Sequence, residues 1–187
     1  MKKYVLFAGV NGAGKSTLYN LGGEYMDLPR INTDEILAKF GDWRNTSDVL
    51  KAGKMAVSRI AELFNKEQSF VQETTLCGRS IIQNIKKAKN NGYQIIVFYI
   101  GVETVEIAKS RIANRVKNGG HGIADADVER RFEESFNNLK SIIPICDEIY
   151  FYDNTEQFRR IAAITNGIEE IRGMDLPQWF LNIMKRN

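Results

Sequence analysis

The segment Gly9-Val10-Asn11-Gly12-Ala13-Gly14-Lys15-Ser16 fits the pattern GxxxxGK[ST] and follows directly on the apolar run Tyr4 to Ala8. That order is a strand, a glycine-rich turn and a helix start, and it constrains the chain more than any other feature. Glycines let such a turn wrap so that backbone N–H groups point inward, and the following helix adds the positive end of its dipole. The pattern predicts a cradle for the phosphates of ATP made by Gly9, Val10, Asn11, Gly12, Ala13, Gly14, Lys15, Ser16 and Thr17. In it, Lys15 reaches the β- and γ-phosphates and the Ser16 hydroxyl ligates Mg²⁺.

Apolar runs and amphipathic stretches alternate downstream. Strands are expected at 29–32, 69–75, 94–100 and 148–152, and helices from Lys15, from Thr33 or Asp34 as cap, at 46–68, 79–90, 103–117 and 125–143. Asn166-Gly167 between the segments 158–165 and 168–172 predicts a type I′ turn in an antiparallel hairpin at the sheet edge, followed by a last helix at 176–185. The expected fold is therefore α/β: a three-layer α/β/α P-loop NTPase with a mainly parallel five-stranded sheet, a helical lid and a C-terminal β-hairpin. One domain spans 1–187, with the lid at about 111–131 and the hairpin and helix at about 156–187.

Composition narrows the function. A net charge of +3 suits an anionic ligand but falls short of the basic track a nucleic-acid binder needs, and no stretch is long enough to cross a bilayer. A cytosolic setting is the simplest expectation. Two cysteines, Cys77 and Cys146, without CxxC spacing point to neither a disulfide framework nor a zinc site, and both are expected as buried small hydrophobes. The single histidine, His121, excludes a His-His metal pair and is expected as a loop residue.

Within the P-loop class, a guanine-reading Asn-Lys-x-Asp is absent, since Asn65-Lys66-Glu67-Gln68 lacks the aspartate. The third strand carries Gln72-Glu73-Thr74-Thr75 rather than an apolar run ending in Asp, so small-molecule kinases remain. Asp34, just past the second strand, is placed to take the proton of an acceptor hydroxyl, although Asn32-Thr33-Asp34-Glu35 is also a typical helix start. Glu73 ends the third strand where Mg²⁺ or an acceptor hydroxyl would lie. Thr75 and Arg79 follow, Arg79 being equally a solvated helix start. Arg111, Arg115, Arg130 and Arg131 flank Gly119-Gly120-His121-Gly122, the composition of a closing phosphoryl-transfer lid. Arg130 and Arg131 are adjacent, so one of the pair is expected to face inward. Asp153-Asn154-Thr155 after strand five is a candidate adenine loop.

Several phrases together resemble the zeta toxin family of P-loop kinases: the segment Phe7 to Thr17, Ile31-Asn32-Thr33-Asp34, and Glu73-Thr74-Thr75-Leu76. The segment Arg115 to His121 with Arg130-Arg131-Phe132 resembles its short chromosomal branch. The resemblance spans roughly residues 4–155. It implies a kinase acting on the 3′-hydroxyl of the amino sugar in UDP-N-acetylglucosamine. Lys15 and Ser16 would hold phosphates and Mg²⁺, Asp34 would be the base, and Glu73, Thr75 and Arg79 would contact the acceptor. Arg115 and Arg130 or Arg131 would clamp the transferring phosphate. The chain is shorter than the well-known toxins, which implies a smaller or differently lined acceptor pocket. Another metabolite, an antibiotic or a nucleic-acid hydroxyl stays open as acceptor. So does a nucleotide-binding protein held by an antitoxin partner.

Overall fold

A computed structural model describes residues 1–185. Its single sheet has the order β2-β3-β1-β4-β5-β6-β7. The parallel part comprises β1 (Lys3–Gly9), β2 (Arg30–Ile31), β3 (Phe70–Thr74), β4 (Gln94–Gly101) and β5 (Glu148–Asp153). The hairpin strands β6 (Arg159–Thr165) and β7 (Ile168–Ile171) pair antiparallel and extend the same sheet beyond β5, so it has seven strands rather than five. The reason is local. Asn166 (φ 51°) and Gly167 (φ 78°) both take the left-handed conformation that a type I′ turn demands, which returns β7 in register against β6, while β6 itself pairs with β5.

Two-residue periodicity divides β1 between the faces of the sheet. Tyr4, Leu6 and Ala8 pack under α2 (Thr33–Ala38), α3 (Thr46–Asn65), α4 (Arg79–Asn90), α6 (Asp125–Ile142) and α7 (Gln178–Met184). Val5 and Phe7 face the other way, towards Tyr19 on α1 (Lys15–Asn20) and the segment 21–29. The two helical layers are thus unequal, five helices covering the first face against α5 (Val105–Lys117) and the short α1 on the second, where Ile100 continues the Ile96 and Phe98 face of β4. A third cluster joins the phosphate turn to α5, with Val10 and Ala13 packed on Ile100, Ala108 and Ile112.

Two local expectations change. The cap of α2 is Asn32, whose Oδ1 accepts from Asp34 N (3.0 Å) and Glu35 N (3.3 Å); this leaves the Asp34 carboxylate out of the capping role. The lid is not a separate body, because α5 and α6 bury Ala108, Ile112, Val128, Ser135, Leu139 and Ile142 in the core. Only residues 118–124 between them lack regular structure.

Candidate functional site

The carboxyl ends of the parallel strands open into a cleft of about 670 Å³. Its floor is the phosphate turn. Gly9 has φ 144°, and a Cβ there would lie 2.1 Å from the Ile100 carbonyl oxygen, so only glycine fits against β4. Gly9, Val10 and Ala13 face inward and hold the turn, whereas Asn11, Gly12, Gly14, Lys15, Ser16 and Thr17 line the cleft. Asn154, at the end of β5, donates from Nδ2 to the Ala13 carbonyl (2.9 Å). The candidate adenine loop therefore grips the phosphate turn directly.

Lys15 donates to the carbonyls of Gly9 (2.9 Å) and Val10 (3.0 Å). Burial pushes its ammonium below the ordinary lysine range, while Glu73 and Asp34 pull the other way. Ser16 donates from Oγ to Glu73 Oε2 (2.7 Å). Glu73 is itself buried and is also bonded to Arg30, which stacks on the Tyr19 ring at 4.0 Å and pairs with Glu35 at 2.8 Å. A hydroxyl and a carboxylate meeting at the mouth of a phosphate turn are hard oxygen donors of the kind Mg²⁺ takes alongside phosphate oxygens and water. Ser16 and Glu73 fit that ion.

Facing this floor, the cleft is lined by Asp34, Thr75, Cys77, Gly78, Arg111, Arg115, Arg130 and Arg131, with Val49 of α3. Its charges are five basic side chains, Lys15, Arg111, Arg115, Arg130 and Arg131, against two acidic ones, Asp34 and Glu73. Such a cleft attracts polyanions. A smaller depression of about 370 Å³ beyond β5 has the opposite character, with Glu103, Asp153, Glu156 and Asp175 around Arg159.

Buried polar atoms without partners gather at the cleft. Arg111 donates from Nη2 to the Thr155 carbonyl (3.1 Å) but its Nη1 is buried and unpaired, as are Arg115 Nη2 and Asn11 Oδ1. The two arginine nitrogens are donors, and buried donors left unpaired cost about 1–3 kcal/mol each, so they mark where an anionic ligand would repay desolvation. Arg115 Nε donates to the His121 carbonyl (2.7 Å), which ties the 118–124 loop to α5. On the other side that loop meets the Trp43 ring, from which a Cβ at Gly122 would stand 2.4 Å away.

Most residues anticipated for the site converge, with three differences. Arg79 is exposed and lies outside the cleft lining, because Gly78 rather than Arg79 turns into it. Arg130 and Arg131 both line the cleft, since their long side chains reach its rim from neighbouring positions on α6. Neither cysteine is fully buried: Cys77 is half-buried on the cleft wall, its thiol donating to the carbonyls of Thr75 (3.4 Å) and Arg131 (3.3 Å), and Cys146 packs at the core margin. Burial pushes both thiols up, Cys146 to about 12. Arg111, expected among the lid arginines but given no contact of its own, lines the cleft one helical turn before Arg115. Arg30, the partner of Glu73, had no signal in the sequence.

A family model described as Zeta toxin matches residues 1–165, which leaves β7 and α7 outside the match. A Haemophilus influenzae (strain Rd) protein of uncharacterised function is 36% identical over 130 residues, covering 70% of this chain and 92% of its own. In the solved AvrRxo1-ORF1:-ORF2 complex, one chain superposes with a TM-score of 0.70 and 14% identity, over 91% of this chain and 61% of that one. The form with ATP gives 0.68 and 12%, over 91% and 60%. This chain spans about three fifths of that neighbour (61%). A chain of the PezAT chromosomal toxin-antitoxin system of Streptococcus pneumoniae superposes at 0.61 with 17% identity, over 84% of this chain and 71% of that one. At these identities the superpositions speak for the fold. No helix among the described residues is long and apolar enough to cross a membrane.

Proposed function

From the premise that this chain belongs to the zeta toxin family, we propose that it is an ATP-dependent kinase which moves the γ-phosphate to a hydroxyl of a small molecule, with a UDP-N-acetyl sugar as the leading acceptor. The carrying observation is the meeting of Lys15, Ser16 and Glu73 with Asp34 and four arginines in one cleft of about 670 Å³. That volume is in the range of small-ligand sites. A neighbour of like fold solved with ATP supports the nucleotide part of the reading.

In this reading the turn binds the triphosphate through backbone N–H groups and Lys15. Ser16 and Glu73 would hold magnesium, which when bound would offset phosphate charge. Asp34, free of capping duty, accepts the proton from the acceptor hydroxyl as the hydroxyl oxygen attacks the γ-phosphorus and the bond to the β,γ-bridging oxygen breaks, releasing ADP. Arg115 and an arginine of α6 gather the charge spread over the transferring phosphoryl oxygens. Thr75 orients the acceptor. The 118–124 loop, held between Arg115 and Trp43, keeps water from competing as acceptor. The enzyme works in the cytoplasm, where ATP is supplied, and an antitoxin-like protein is a partner to look for, as in the PezAT system.

The test is ATP consumption by the wild type against sugar nucleotides, nucleosides and aminoglycosides, with Lys15→Ala as control. Acceptor-dependent turnover in the wild type alone is expected, first with UDP-N-acetylglucosamine. Identical behaviour of the two proteins on every compound would overturn the reading.

A further inference from the structure

The adjacent arginines of α6 are held differently. Arg130 donates from Nη2 to Asp127 (2.9 Å), one turn before it, and from Nη1 to Glu134 Oε2 (3.1 Å), one turn after. Arg131 lines the same cleft, and no ion pair holds it among the described residues. Arg130 thus spends two of its five N–H donors on carboxylates that offset its charge, whereas the Arg131 guanidinium keeps its donors for an incoming phosphoryl group.

Glu134 has a second attachment. Its Oε1 accepts the N–H of Gly78 at 2.7 Å. Gly78 is the N-cap of α4 and brings no side chain of its own, and Glu134 from another helix accepts its N–H, with a carboxylate charge at the positive end of the α4 dipole. The loop it grips is unusual, because Leu76 is fully buried at φ 61°, a left-handed conformation that a leucine keeps only when its surroundings enforce it. Two further bonds hang the loop from α6: Asn138 Nδ2 to the Leu76 carbonyl (2.8 Å) and Cys77 Sγ to the Arg131 carbonyl (3.3 Å). Among these three, only the Glu134 bond comes from a side chain that also holds a cleft arginine. The same loop fold brings the Leu76 N–H onto Thr74 Oγ1 (2.9 Å) and so fixes the backbone that carries Thr75.

We propose that Glu134 is a positioning residue whose two carboxylate oxygens yoke Arg130 to the acceptor-side loop at residues 75–78, leaving Arg131 as the cation of the pair that meets the transferring phosphate. The proposal rests on the kinase reading of the cleft and goes beyond it by dividing the arginine pair into one structural and one catalytic member.

The test compares Glu134→Ala, Glu134→Gln, Arg130→Ala and Arg131→Ala in the full chain. Amide hydrogen exchange needs no acceptor. In Glu134→Ala, exchange in the peptide covering 75–82 should quicken about tenfold or more, while β1 and β4 stay protected. Glu134→Gln, whose amide oxygen still accepts from Gly78, should restore most of that protection, and Arg131→Ala should leave it as in wild type. With ATP and UDP-N-acetylglucosamine as probes, Glu134→Ala should raise the acceptor KM about tenfold with the ATP KM within about twofold, and Arg131→Ala should lower kcat about 100-fold or more. Unchanged exchange in Glu134→Ala would overturn the proposal, as would an equal rise of both KM values. A greater kcat loss in Arg130→Ala than in Arg131→Ala would do the same. If the wild type turns over no panel compound, the kinase reading fails, while the exchange data still decide whether Glu134 holds the loop.

Discussion

The phosphate turn and the arginine rim face each other across one cleft, yet they are assembled in different ways. The turn is a contiguous stretch between β1 and α1, fixed by backbone: Gly9 against Ile100, Ala13 clasped by Asn154, Val10 and Ala13 sunk into the core. The rim draws on α2, β3, α5 and α6, and it carries charged side chains with unspent hydrogen-bonding capacity, Arg111 Nη1 and Arg115 Nη2 among them. A region built from backbone is pre-formed whether or not ligand is present, whereas one built from long side chains gains its order from what it binds. Damage to the backbone of the turn should therefore appear in folding as well as chemistry, and loss of a charged side chain from the cleft in chemistry alone.

The largest expected effect is at Lys15, the side chain of the turn to which the proposed reaction assigns the terminal phosphates. Lys15→Ala should lower turnover by about 10³-fold with Tm held within a few degrees, measured by ATP consumption and thermal melting. Gly9→Ala sharpens the comparison from the other side. Its Cβ would overlap the Ile100 carbonyl at 2.1 Å, so a loss of about 3 kcal/mol in denaturant unfolding is expected, with no polar group removed. At the rim, Arg111→Ala should weaken binding of a fluorescent ATP analogue about tenfold while stability changes by no more than about 1 kcal/mol, because deleting the unpaired buried Nη1 offsets the loss of the Nη2 bond to the Thr155 carbonyl. A drop in Tm matching that of Gly9→Ala would break the distinction. The smallest effect belongs to Asn154→Ala, which loses one neutral bond to the turn and should weaken the same analogue by about threefold.

This division also explains what could be read from the chain. The turn was legible because its function needs glycines, a lysine and a hydroxyl at fixed spacing directly after a strand, and all of that is local. The hairpin was legible for the same reason, since Asn166-Gly167 encodes its own geometry; that it would add two strands to the parallel sheet depends on its pairing with β5, a tertiary fact. Asn32 rather than Thr33 or Asp34 caps α2 because only its side chain reaches the Asp34 and Glu35 amides, a one-residue distinction that residue preferences do not resolve. Arg79 fits the spacing of an acceptor contact, but the left-handed turns at Leu76 and Gly78 swing it to the surface. Glu134 and Arg30 carried no signal, because their partners Gly78 and Glu73 lie 56 and 43 residues away.

The central claim is that this cleft seats a triphosphate with Lys15 at its terminal group. Calorimetric titration with a non-hydrolysable ATP analogue and Mg²⁺ measures it most directly. One analogue per chain is expected for the wild type, with affinity falling at least about tenfold in Lys15→Ala. Equal affinity in the two proteins, or no binding to either, would contradict it.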